Sequence, residues 1–205
     1  NFLTMKKEKR KSLVSPNNKV LVEVDFKSCE PFFYLKANNY NLDSERDVYH
    51  WIADNYNVNI KSRDKFKRGI LSILYGANEY TTAKVMQTDS NTVKRIKEEL
   101  GINSLKQRLE KEYIDNRFVL NYYGRPITSD NNLVNYWIQS SAVDFCSLAF
   151  NSFCSLNDIK PSFFIHDSMT FEIEKERLES ITSITEILEP ISKISIPVEF
   201  NILSK

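Results

Sequence analysis

Cysteine and histidine are scarce in this chain: Cys29, Cys146 and Cys154 are its three cysteines, and two histidines accompany them among 205 residues. No C-x-x-C spacing and no histidine cluster goes with them, which argues against a zinc site and against a disulfide framework and leaves reduced thiols as the expectation. No apolar run approaches the roughly 20 residues that a membrane span needs, and no secretory leader pattern is visible. A cytoplasmic setting without membrane contact is therefore expected. Internal repeats are lacking, and low complexity is limited to an asparagine-rich bias. The net charge is only +1, so the chain as a whole has no excess of either sign with which to draw a polyanion.

What is present is an ordinary hydrophobic fraction of 41%, enough for a sizeable core. Positive charge is concentrated in two runs, "KKEKRK" (6–11) and "KSRDKFKR" (61–68), each with five bases and one acid. Such runs are usually solvated faces. The chain opens on Asn1 rather than methionine, so it is expected to be a piece of something longer.

"KVLVEVDF" (19–26) reads as a strand ending in an aspartate, with a helix after it. "RDVYHWIADNY" (46–56) and "SRDKFKRGILSILYG" (62–76) have helical spacing, the second opening on a serine cap and closing on a glycine. Residues 79–114 read as two or three short helices broken at "LGIN". "RFVLNYYGRPI" (117–127) reads as strand, glycine turn and return, and residues 131–153 as a long helix with an asparagine cap. A hairpin (161–173), a helix (174–189) and a last strand (196–203) complete the order. Helices and strands are segregated, which favours α+β over a doubly wound sheet.

Two carboxylates stand out. Asp25 ends the first strand and Asp167 sits in the hairpin turn, each after hydrophobic strand residues that would fix it at a sheet edge. A carboxylate there needs solvent, a partner or a cation. Two of them at one edge make a hard-oxygen site suited to Mg²⁺ and to two-metal phosphoryl transfer. A positive cradle is available in Arg63, Lys67, Leu71 and Tyr75, which recur every four residues along a stripe of about 18 Å. That length matches an extended nucleoside triphosphate, with the cations at the phosphates and the ring at the base.

In this order the residues resemble the palm and fingers of the family A DNA polymerases, the group of the bacterial repair polymerase and many phage replicases. "VEVDFKSCEPFFYL" looks like motif A, with Glu30 five residues after Asp25. "RDKFKRGILSILYG" looks like motif B, and "FFIHDSMTFEI" like the His-Asp hairpin of motif C. "NYWIQSSAVD" is similar to the helix whose Asn and Gln, here Asn135 and Gln139, touch primer and template, and "NYYGRPI" resembles the Gly-Arg segment before it, which carries Arg125. The resemblance spans about residues 6–203. It implies an α+β fold: a palm with an antiparallel sheet (about 1–45 and 117–205) and helical fingers (about 46–116), with the thumb and any exonuclease domain outside this chain. It implies two Mg²⁺ ions on Asp25, Asp167 and the Phe26 carbonyl, with Lys67 neutralising departing pyrophosphate. Glu30, Arg63, Lys67, Leu71 and Tyr75 would bind the deoxynucleotide, and Asn135, Gln139, Arg125 and His166 the primer-template DNA. Further polymerase domains or subunits, and a bacterial or phage-infected cell, belong to the same expectation.

The pattern departs from the family in places. Ser168 replaces the glutamate of motif C, as in single-subunit phage-type RNA polymerases. Leu71 replaces the motif B aromatic, Asn131 stands where an arginine is frequent, and "DVYH" puts Tyr49 at the histidine position. Glu30 with Tyr75 favours DNA synthesis, because that glutamate fills the space of a ribose 2′-hydroxyl. An RNA polymerase and an inactive polymerase-like DNA-binding subunit are the alternatives. Gly69, inside the motif B helix at about 1 kcal/mol against alanine, reads either as a soft point for closure or as a close-packing site.

Overall fold

The computed structural model describes residues 18–42 and 46–203, so "KKEKRK" lies outside the described residues. The chain divides into two compact units, one of residues 1–29 with 143–205 and one of residues 30–142.

The first unit is built on a sheet. Strand β1 (Lys19–Phe26) is buried along nearly its whole length, as expected for its run of valines. It lies in the middle of a five-stranded antiparallel sheet ordered β4-β5-β1-β7-β6, where β4 is Pro161–Ile165, β5 Ser168–Glu174, β6 Glu186–Leu188 and β7 Ser195–Ile202. A strand with neighbours on both sides and apolar side chains on both faces holds its register tightly, since a slip of one residue would turn every side chain over. The Phe26 ring packs 4.5 Å from that of Phe150 and 5.3 Å from that of Phe145.

The second unit is helical. Helix α1 (Cys29–Ala37) begins at the end of the first unit, and α2 (Val48–Asn55), α3 (Arg63–Leu74), α4 (Glu79–Met86), α5 (Ser90–Glu99) and α6 (Ile102–Asn116) follow. Asn78 caps α4 and Asp89 caps α5 through side-chain oxygens that accept backbone N–H groups. Gly101, at φ +68°, makes the break expected in "LGIN". The short strands β2 (Val119–Leu120) and β3 (Pro126–Ile127) pair as the expected turn-and-return, and the long helix α7 (Leu133–Asn157) begins in this unit, which ends at Ala142.

Two expectations are corrected. Ser62 precedes α3 without any side-chain capping bond. The helix expected over 174–189 shrinks to a 3-10 turn at Lys175–Arg177, a short α8 (Leu178–Thr182), and then strand β6. The run from Ile181 to Thr185 is β-branched or hydroxyl-bearing throughout, which weakens a helix, and the edge of β7 offers Ile187 a partner in Ile196.

Gly69 is explained by packing. A Cβ at this position would lie 1.9 Å from Met86 Cγ and 2.6 Å from its Sδ, so the glycine lets α3 and α4 approach. Gly69→Ala should destabilise by about 1–2 kcal/mol, because overpacking exceeds the helix-propensity gain. In a Met86→Ala background the same change should become neutral or stabilising in denaturant titrations. A single variant more stable than the wild type would contradict the packing account.

Candidate active site

Register decides where the two aspartates go. The pairing of β1 with β5 ends at Asp25 opposite Ser168, and the Phe26 N–H donates to the Asp167 carbonyl at 3.0 Å. Asp25, Phe26 and Asp167 therefore stand at the same end of two adjacent strands, and both aspartates are partly exposed. The two-residue loop between β4 and β5 is His166 and Asp167, with Ile165 paired to Ser168. His166 takes a left-handed φ of +54° and is exposed. The left-handed region is sparsely used by residues other than glycine, although histidine enters it more readily than most. Ser168 Oγ donates to the Ile165 carbonyl at 3.1 Å and closes this turn, so Ser168 is a buried part of the hairpin.

In the helical unit, α3 turns Phe66, Gly69, Ile70, Ile73 and Leu74 into the core. The other edge carries Arg63, Lys67, Leu71 and Tyr75, which are exposed or half-buried, with Tyr75 as the helix C-cap. The Arg63 guanidinium donates to Asp47, with Nη2 at 2.6 Å from Oδ1 and Nε at 3.3 Å from Oδ2. Its centre lies 5.4 Å from the ring centroid of Tyr49, and the Lys67 ammonium lies 5.9 Å from the same ring. Tyr49 is fully buried, so it forms an apolar floor beneath both cations. Among the described residues Lys67 makes no ion pair.

The Tyr75 hydroxyl donates to Glu30 Oε2, and it also hydrogen-bonds the Gln139 side chain. Burial, and then the Glu30 carboxylate, push its pKa well above the usual tyrosine range, against a smaller opposing pull from Gln139. Tyr75 thus stays a neutral donor wherever Glu30 is charged. One turn before Gln139, Asn135 Oδ1 is buried and has no hydrogen-bond partner among the described residues. Such an acceptor costs about 1–3 kcal/mol, which makes a contact to something outside the chain worth seeking. Arg125 donates from Nη2 to the Ser140 carbonyl at 3.1 Å, and its backbone N–H donates to Asn121 Oδ1 at 2.8 Å.

Sequence reasoning missed Asp47. Its position before a helical run marks it as an N-cap, and it accepts from the His50 backbone N–H and sits 2.7 Å from His50 Nδ1. Its pairing with Arg63, sixteen residues on, is a tertiary contact with no local signal.

No protein-family model matches the chain, and no curated protein matches it by sequence. Among solved structures the chain is similar to the POL domain of Pol1 from M. smegmatis, in complex with DNA primer-template and dNTP. The TM-score is 0.68 at 14% sequence identity, and the match covers 96% of this chain and 41% of that one. The fold is therefore that of a DNA polymerase domain, an α+β arrangement with an antiparallel sheet. Among the described residues no helix is long and apolar enough to cross a membrane.

The Asp47 pairing predicts a pH dependence. Burial raises the Asp47 pKa, but hydrogen bonds from Arg63 and His50 outweigh it and leave the carboxyl below its usual range. A depressed pKa contributes stability above the unfolded value, about 3.9, and loses it as pH falls through the folded one. Asn keeps the cap but not the charge. Wild type should exceed Asp47→Asn in unfolding midpoint at pH 7, with the gap closing below about pH 4. A gap independent of pH would contradict the ion-pair role.

Proposed function

We propose that this chain is the palm and fingers region of a family A DNA polymerase of bacterial or phage type, acting in the cytoplasm on primer-template DNA and deoxynucleoside triphosphates. The observation that carries the reading is the register of β1 against β5, which brings Asp25, Phe26 and Asp167 to one end of adjacent strands.

The donor set suits Mg²⁺. No cluster of three or more His, Cys, Asp or Glu able to cage a metal occurs among the described residues. Two carboxylates and the Phe26 carbonyl leave most coordination positions to water and phosphate, which is how Mg²⁺ is usually held. Two bound ions would supply positive charge at the attacking primer 3′-hydroxyl and at the leaving pyrophosphate.

The remaining roles fall to the chain's own side chains. Lys67, unpaired among the described residues, neutralises the departing pyrophosphate, and Arg63 binds the triphosphate through the guanidinium edge that Asp47 does not use. Leu71 offers an aliphatic shelf under the sugar and Tyr75 a ring at the base. Glu30, held by the Tyr75 hydroxyl, occupies the room that a 2′-hydroxyl would need. Asn135, Gln139, Arg125 and His166 contact primer and template. Asn135 brings a buried acceptor without a partner among the described residues to that task. Ser168 is spent on the hairpin turn, so its likeness to RNA polymerases carries less weight than Glu30 and Tyr75.

Primer extension tests the proposal. The chain, with further polymerase segments supplied where needed for grip on duplex, should add deoxynucleotides to a primed template in the presence of Mg²⁺. Asp25→Asn or Asp167→Asn should lower single-turnover incorporation by about three orders of magnitude, the scale of losing a main electrostatic contribution. Glu30→Ala should admit ribonucleotides. Extension that survives the double aspartate change would overturn the assignment.

A further inference from the structure

We propose that Cys29 and Cys146 form a reversible disulfide, a redox-sensitive latch at the two places where the chain passes between its compact units. Their Sγ atoms are 3.4 Å apart across 117 residues of sequence, and each residue is only 2% exposed. The units change at Cys29/Glu30 and again at Ala142/Val143. Cys29 is thus the last residue before the first passage, and Cys146 is the fourth residue after the second. Both belong to the same unit, in which the rings of Phe26 and Phe145 pack at a tilt with their centroids 5.3 Å apart.

A disulfide is about 2.05 Å long, so the sulfurs, now 3.4 Å apart, must close by about 1.4 Å. Cys29 opens α1 and Cys146 lies within α7, so the bond joins two helices and ties the two connecting segments together. Cys154 serves as an internal control. Its Sγ lies 3.5 Å from Met169 Sδ, a thioether that cannot form a disulfide.

A low-molecular-weight disulfide such as oxidised glutathione is the oxidant. One protein thiol loses its proton, and the thiolate attacks a glutathione sulfur, forming a mixed disulfide and releasing one glutathione thiolate. The second cysteine, deprotonated in turn, attacks the protein sulfur of that mixed disulfide and expels the second glutathione. Two protein thiols give up two electrons to the oxidant, and the two protons end on the two reduced glutathiones. Because both sulfurs are buried, the first attack waits on local opening, so the rate of closure reports that opening.

The test uses the full chain under native conditions and is independent of polymerase activity. Incubation with oxidised glutathione at neutral pH should lower the thiol count, read after denaturation, from three to one. Peptide mapping should show Cys29 linked to Cys146, dithiothreitol should restore all three thiols, and the oxidised form should unfold several degrees higher. Cys154→Ser should fall from two thiols to none, and Cys29→Ser should form no intramolecular crosslink. Three thiols persisting through long incubation, or crosslinks that involve Cys154 or a second chain, would overturn the latch.

Discussion

Seven consecutive residue pairs between β1 and β5, from Lys19 with Glu174 to Asp25 with Ser168, fix where the acidic end of the sheet lies. Side chains alternate along a strand, so a shift of one residue would exchange Asp25 for a neighbour that points to the other face. The valines at 20, 22 and 24 and the residues Phe171 and Ile173 are fully or almost fully buried, and they hold that register through apolar packing on both strands. Burial of this kind contributes about 1.5–3 kcal/mol for each large side chain. The hairpin adds its own constraint. With only two residues between Ile165 and Ser168, the loop has no freedom to carry Asp167 away from Phe26. The placement of both aspartates at that edge is thus a consequence of core packing several residues away.

The helical unit follows a different logic, in which the polar stripe is shaped by its neighbours. Tyr49 is buried beneath Arg63 and Lys67, and Asp47 grips the guanidinium while capping its own helix. A half-exposed ion pair of this sort is worth little as stability, typically under about 1 kcal/mol. Its value lies in orientation, since a guanidinium held along one edge presents the other in a fixed direction. A hydrogen bond from the neutral Tyr75 hydroxyl orients Glu30 in the same way across 45 residues, and Gln139 completes the group.

Much of this was legible in the sequence because it is local. The buried strand before Asp25, the two-residue turn around Asp167 and the amphipathic stripe of α3 are periodic patterns, and periodicity is what a sequence states most clearly. The break at Gly101 and the hairpin at 119–127 could be read from glycine. The region after Glu174 could not, because β6 exists only where the edge of β7 is available to pair, and that edge is set by residues far along the chain. Asp47 was hidden for the same reason, whereas close packing was one of two readings of Gly69 that only its contact with Met86 could decide between. Of the site, the residue types and the pairing of Glu30 with Tyr75 were visible, while the Asp47 partner of Arg63 was not.

The central claim is that Asp25 and Asp167 together hold divalent ions. Mn²⁺ is a paramagnetic stand-in for Mg²⁺, and its bound fraction can be counted by electron paramagnetic resonance with deoxynucleotide present and without any turnover. Two ions per chain in the wild type, lost when both aspartates become asparagine while the fold is retained, is the result the account predicts. Equal Mn²⁺ binding by the wild type and the double variant would contradict it.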